Sequence, residues 1–94
     1  MTLDDIRHKI ASIDEQMVEL IAQRVALAED VLRYKHQENM SINDESQNTV
    51  VIERSTAIAT EKNLDIAAVK EILKILIRMN IERQHELSGE GNLP

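Results

Sequence analysis

Leu3, Ile6, Ile10, Ile13, Met17, Leu20, Leu27, Val31 and Tyr34 recur at alternating steps of three and four residues, and Arg24 sits in the same register. That stepping belongs to a helix whose apolar seam packs against another helix. It predicts one long helix from Leu3 to about Lys35, opened by a capping box of Thr2 and Asp5 and weakened at its end by the polar run His36-Gln37-Glu38-Asn39. At about 1.5 Å per residue such a helix is roughly 50 Å long, more than the width of a small domain, so one chain alone leaves its seam uncovered.

Met40-Ser41-Ile42-Asn43 reads as a loop. Asp44 then caps a second helix, with Gln47 at its third position, that carries Val50, Val51, Ile52, Ala57 and Ile58. Asn63-Leu64-Asp65 interrupts the pattern, and Asp65 caps a third helix with Ile66, Val69, Leu73, Leu76, Asn80 and Gln84 on one stripe, ending near Leu87. The segment 88–94 holds both glycines and the sole proline and is expected to be a disordered tail, leaving residues 1–87 as a single helical domain. The fold class is all-α, a three-helix subunit with a long N-terminal helix.

Composition sharpens this picture. A chain of 94 residues buries little surface unless something supports it, and the absence of cysteine removes disulfides and thiolate metal sites. His8, His36 and His85 are too far apart for a local ligand pair, so no metal is expected. Self-association is the remaining support, and a homodimer is expected. Tyr34 is the only aromatic residue, so burial falls to Leu, Ile, Val, Ala and Met, which suit helix packing. Eleven Lys and Arg against seventeen Asp and Glu give a net charge of −6, which argues against nucleic acid and anionic membrane surfaces as partners. The start of the chain lacks the pattern of a secretory signal, and no run of apolar residues is long enough to span a bilayer; a soluble cytoplasmic protein is expected.

The polar residues that interrupt apolar stripes are the candidates for chemistry. Arg24 holds a seam position where an unpaired charge is costly. Its guanidinium either escapes to solvent or meets an acid such as Glu53, or it forms part of an anion site. Arg7 and Lys35 flank the same seam. Arg7 lies seventeen residues before Arg24. That is about 25 Å along a helix, so the two can grip one small molecule only if a second, antiparallel subunit brings its own Arg7 alongside. Lys35 is within reach of a ligand held by Arg24 on the same helix. Asn80 and Gln84, one turn apart, either bond each other and the backbone or offer donors to a ligand. Asp44 is first a helix cap and second a pocket residue. Together these residues suggest one polar cavity in an otherwise apolar bundle.

Arg7, Ile10, Ile13 and Asp14, followed by Met17, Leu20, Ile21 and Arg24, resemble the R-x-x-I-x-x-I-D opening of the all-helical, AroQ-class chorismate mutases. Lys35, Asp44, Asn80 and Gln84 follow in family register without a gap, so the resemblance covers residues 3–87. It implies an intertwined homodimer with shared active sites and, as substrate, the dianion chorismate, rearranged to prephenate in a [3,3]-sigmatropic step of phenylalanine and tyrosine biosynthesis. No cofactor is implied. Arg7 of one subunit and Arg24 of the other would hold the carboxylates, Lys35 and Gln84 would donate to the breaking ether oxygen, and Asp44 and Asn80 would line the pocket, with Asp44 near the substrate hydroxyl. This chain departs from the family where the second helix opens: Gln47-Asn48 replaces the Arg-Glu pair of many members. Gln47 brings no charge, and Asn48 offers the hydroxyl only a shorter amide. Two other readings stay open here. One is a pericyclic relative acting on isochorismate or an amino-substituted chorismate; the other is a non-catalytic helical dimerisation or regulatory domain.

Overall fold

The computed structural model describes residues 1–89, which form helical segments α1 (Leu3–Ala26), α2 (Ala28–Gln37), α3 (Glu45–Glu61) and α4 (Ile66–Ser88), with no strand among them. α1 and α2 are one bent helix. Leu27 between them keeps right-handed angles (φ −71°, ψ −10°), its N–H donates to the Gln23 carbonyl at 3.2 Å, and the Val31 N–H donates to the Leu27 carbonyl at 3.0 Å. The chain is thus three helices with a long first one, as the seam predicts, but that helix is bent and continues to Gln37. No Pro or Gly explains the bend. At that point Asn80 Nδ2 of α4 donates to the Arg24 carbonyl at 3.1 Å, and Arg24 Nη1 donates back to the Leu76 carbonyl at 3.0 Å. A polar side chain that takes hold of a helix carbonyl is a known cause of bending.

The helix ends follow local chemistry. Thr2 and Asp5 form the expected capping box, with Thr2 N–H to Asp5 Oδ2 at 2.8 Å and Asp5 N–H to Thr2 Oγ1 at 3.2 Å. Asp44 and Asp65 cap α3 and α4 by accepting from the N–H groups of Gln47 and Ala68. α2 and α3 stop in the same way. Asn39 and Asn63 adopt left-handed backbone (φ 56° each), and the next N–H, of Met40 or Leu64, reaches the carbonyl five residues back, Lys35 or Ala59. This is the Schellman arrangement, with Asn tolerating the conformation that usually selects Gly. α4 runs to Ser88 and closes on Gly89 (φ 88°), so these two residues of the expected tail are the last helical residue and its cap; residues 90–94, where the rest of that expectation falls, lie outside the described residues.

α4 packs against every other segment. Among the described residues the buried apolar side chains are only Ala28, Leu32, Val51 and Ala59. α1 buries none of its residues, and its seam faces outward, with Ile13 55% and Leu20 61% exposed. The molecule measures 54 × 27 × 23 Å with a radius of gyration of 16.5 Å, against about 12 Å for a compact chain of this length. Among the described residues no helix is long and apolar enough to cross a membrane.

Candidate active site

The bent helix, α3 and α4 enclose an open cavity of about 430 Å³ lined by Arg24, Lys35, Asp44, Asn48, Asn80 and Gln84. Helical spacing brings them together. Arg24, Leu27, Val31 and Lys35 form one stripe of the bent helix; Ile77, Asn80, Ile81 and Gln84 form another on α4; Gln47, Asn48 and Val51 extend from the Asp44 cap along one face of α3. Leu27, Val31, Val51, Ile77 and Ile81 make apolar walls, so the polar groups are few and convergent, the usual make-up of a small-molecule site. Arg7 is not among the lining residues; it lies on α1, about 25 Å from Arg24 by helix rise.

Four of these groups form a hydrogen-bond chain with a fixed direction. Lys35 Nζ donates to Gln84 Oε1 at 3.1 Å, Gln84 Nε2 donates to Asn80 Oδ1 at 2.6 Å, and Asn80 Nδ2 donates to the Arg24 carbonyl at 3.1 Å. An ammonium only donates and a carbonyl only accepts, so both amide orientations are dictated by the ends of the chain. Gln84 is 2% exposed, and its register on the α4 stripe places it between the other two. Lys35 Nζ also donates to the Ile42 carbonyl, which the turn at Asn39 and Met40 carries back over the end of α2. Lys35 therefore keeps one of its three N–H groups uncommitted, and Gln84 keeps one of its two.

Burial pushes the Lys35 ammonium below the ordinary lysine range, against the attraction of Asp44, which raises it. Asp44 is held below the usual carboxylate range by the Gln47 N–H and the Ser46 hydroxyl, with Lys35 contributing less. The Arg24 guanidinium is also lowered, first by burial and then by repulsion from Arg54. Neither Glu53 nor any other acid pairs with Arg24 among the described residues; its partner is the Leu76 carbonyl. Arg24, Lys35 and Arg54 face a single lining carboxylate, Asp44, so the cavity is cationic inside a chain of net charge −6.

The sequence model of the family described as chorismate mutase type II matches residues 6–85, a span that holds every group of this cavity. The chain belongs to that family. A chorismate mutase of Methanocaldococcus jannaschii is 37% identical over 88 residues, which cover 94% of this chain and 89% of the relative. No solved structure matches the chain.

For a type II chorismate mutase the cavity also contains a residue that sequence reasoning did not single out. Arg54 lines it, seven residues after Gln47 and three after Val51 on the same face of α3. Projecting α3 onto a helix from its Asp44 cap would have found it. Gln47, read from the sequence as the third position after the Asp44 cap and as a departure from the family, lines the cavity as well.

Proposed function

We propose that this chain converts chorismate to prephenate in a site completed by a second subunit. Chorismate mutase activity follows from membership of the family and from the relative that bears that name. The reaction is a unimolecular rearrangement with no nucleophile and no proton transfer, so the protein has two tasks: to hold the compact conformer and to stabilise charge on the breaking ether oxygen. Arg24 holds one carboxylate, and the partner subunit's Arg7 holds the other. Lys35 and Gln84 direct their remaining N–H groups at the ether oxygen. Asp44 and Asn48 are left for the substrate hydroxyl, and Asn80 orients Gln84.

The observation that carries this reading is the one-way chain from Lys35 to the Arg24 carbonyl, which leaves one donor free on each of Lys35 and Gln84 within a cationic cavity. Donors fixed before the reaction need no reorganisation during it, and one such donor is typically worth about 3 kcal/mol of barrier. The homodimer is supported by the outward seam of α1, by the elongated shape, and by the distance of Arg7 from the cavity. The reading carries with it the cytoplasmic setting expected from the sequence. Incubation of the purified protein with chorismate, followed by nuclear magnetic resonance, tests it. Prephenate is the expected product; release of pyruvate would assign a lyase instead.

A further inference from the structure

We propose that Arg54 is a substrate-binding residue, a second cation at the Arg24 end of the cavity that meets a carboxylate of the bound dianion. The proposal rests on the reading of this cavity as the chorismate site and adds to it a specific contact.

Arg54 lies on the cavity face of α3, and its guanidinium makes no hydrogen bond or ion pair among the described residues. Three other exposed arginines behave differently: Arg33, Arg78 and Arg83 pair with Asp30, Glu82 and Glu86, each three or four residues away on the same helix. The sequence denies Arg54 that option. Its neighbours three and four positions off are Val50, Val51, Ala57 and Ile58, none of them acidic. The one carboxylate lining the cavity, Asp44, caps α3 ten residues earlier and serves Lys35.

Two guanidinium groups therefore stand near each other with no acid between them, and the repulsion is felt at Arg24. Arg24 has also committed Nη1 to the Leu76 carbonyl, so its planar fork is only partly available. A carboxylate arriving at this end would relieve the repulsion and take bonds from both groups. Gln47, on the same face about two turns nearer the cap, brings no charge to share the task.

The test is the pair Arg54→Gln and Arg54→Lys, read by chorismate kinetics, by calorimetric binding of the product dianion prephenate, and by thermal unfolding. Arg54→Gln is expected to raise KM and weaken prephenate binding about tenfold, the value of a lost charge-assisted hydrogen bond. The change in kcat should stay within about threefold, the signature of binding shared by ground and transition states. Thermal stability should not change, because the side chain has no partner to lose, and Arg54→Lys should recover most of the binding. KM and prephenate binding within about twofold of wild type in Arg54→Gln would overturn the role of Arg54 and leave the mutase reading intact. A fall in unfolding temperature with no recovery by Lys would overturn it in favour of a structural role. Wild-type protein that binds prephenate through Arg54 yet leaves chorismate unchanged would overturn the reaction and keep the cation; wild type that neither binds nor converts would overturn both.

Discussion

Gln84 Nε2 lies 2.6 Å from Asn80 Oδ1, and this bond determines that the Gln84 oxygen, not its nitrogen, faces Lys35. In the proposed mechanism Asn80 thereby acts on the reaction through Gln84. Asn80→Ala is expected to lower kcat about tenfold to a hundredfold with a smaller change in KM, since Gln84 loses its fixed orientation. It should also destabilise the fold by about 1–3 kcal/mol, because the Arg24 carbonyl and Gln84 Nε2 both lose a partner. Steady-state kinetics and thermal unfolding of the one variant read both effects.

In the proposed mechanism Lys35→Ala removes a donor aimed at developing charge. Its single-turnover rate should fall about a hundredfold to a thousandfold. The unfolding temperature should fall about as much as for Asn80→Ala, since the Ile42 carbonyl and Gln84 Oε1 each lose a partner, so the rate loss is read in protein shown to be folded. Unchanged single-turnover kinetics would remove Lys35 from the reaction.

The pH dependence follows from the same residue. The ammonium must stay protonated to donate, and burial lowers its pKa, so kcat/KM should decline on the alkaline side at a lower pH than an ordinary lysine would give. Asp44 opposes that shift. Asp44→Asn keeps an N-cap but removes the attraction, so the alkaline limb should move to still lower pH. A limb that stays in place would separate Asp44 from Lys35.

Inactive Arg7→Ala and Arg24→Ala proteins, mixed under conditions of subunit exchange, should regain activity. One of the two sites in each heterodimer then has both arginines, so recovery up to roughly a quarter of wild-type activity is expected from random pairing. No recovery despite demonstrated exchange would exclude a site shared between subunits.

The seam from Leu3 to Tyr34 and the caps at Thr2, Asp44 and Asp65 were legible because each depends on residues within a turn of one another. Arg24, Asn80 and Gln84 stood out because polar side chains broke apolar stripes, and Lys35 because it flanks the seam that Arg24 interrupts. The bend at Leu27 was not legible: it coincides with bonds between Arg24 and residues of α4 more than fifty positions away. Arg54 was hidden for a different reason. α3 is short of apolar residues on any single face, so a charge on its cavity side did not interrupt a visible pattern. The turns at Asn39 and Asn63 read as breaks, while the role of the Asn39 turn in returning the Ile42 carbonyl to Lys35 depends on three-dimensional register.

The bare face of α1 bears on how this protein has to be assayed. A helix with no buried residue of its own draws its support from whatever covers it, and when the cover is a second copy, folding and association become one equilibrium. Dilution alone then lowers the fraction of working molecules, although nothing in the cavity has changed. Specific activity should climb with protein concentration to a plateau, and only the plateau reports the chemistry; a variant compared with wild type below it would be charged with a catalytic defect that is in fact a deficit of assembly.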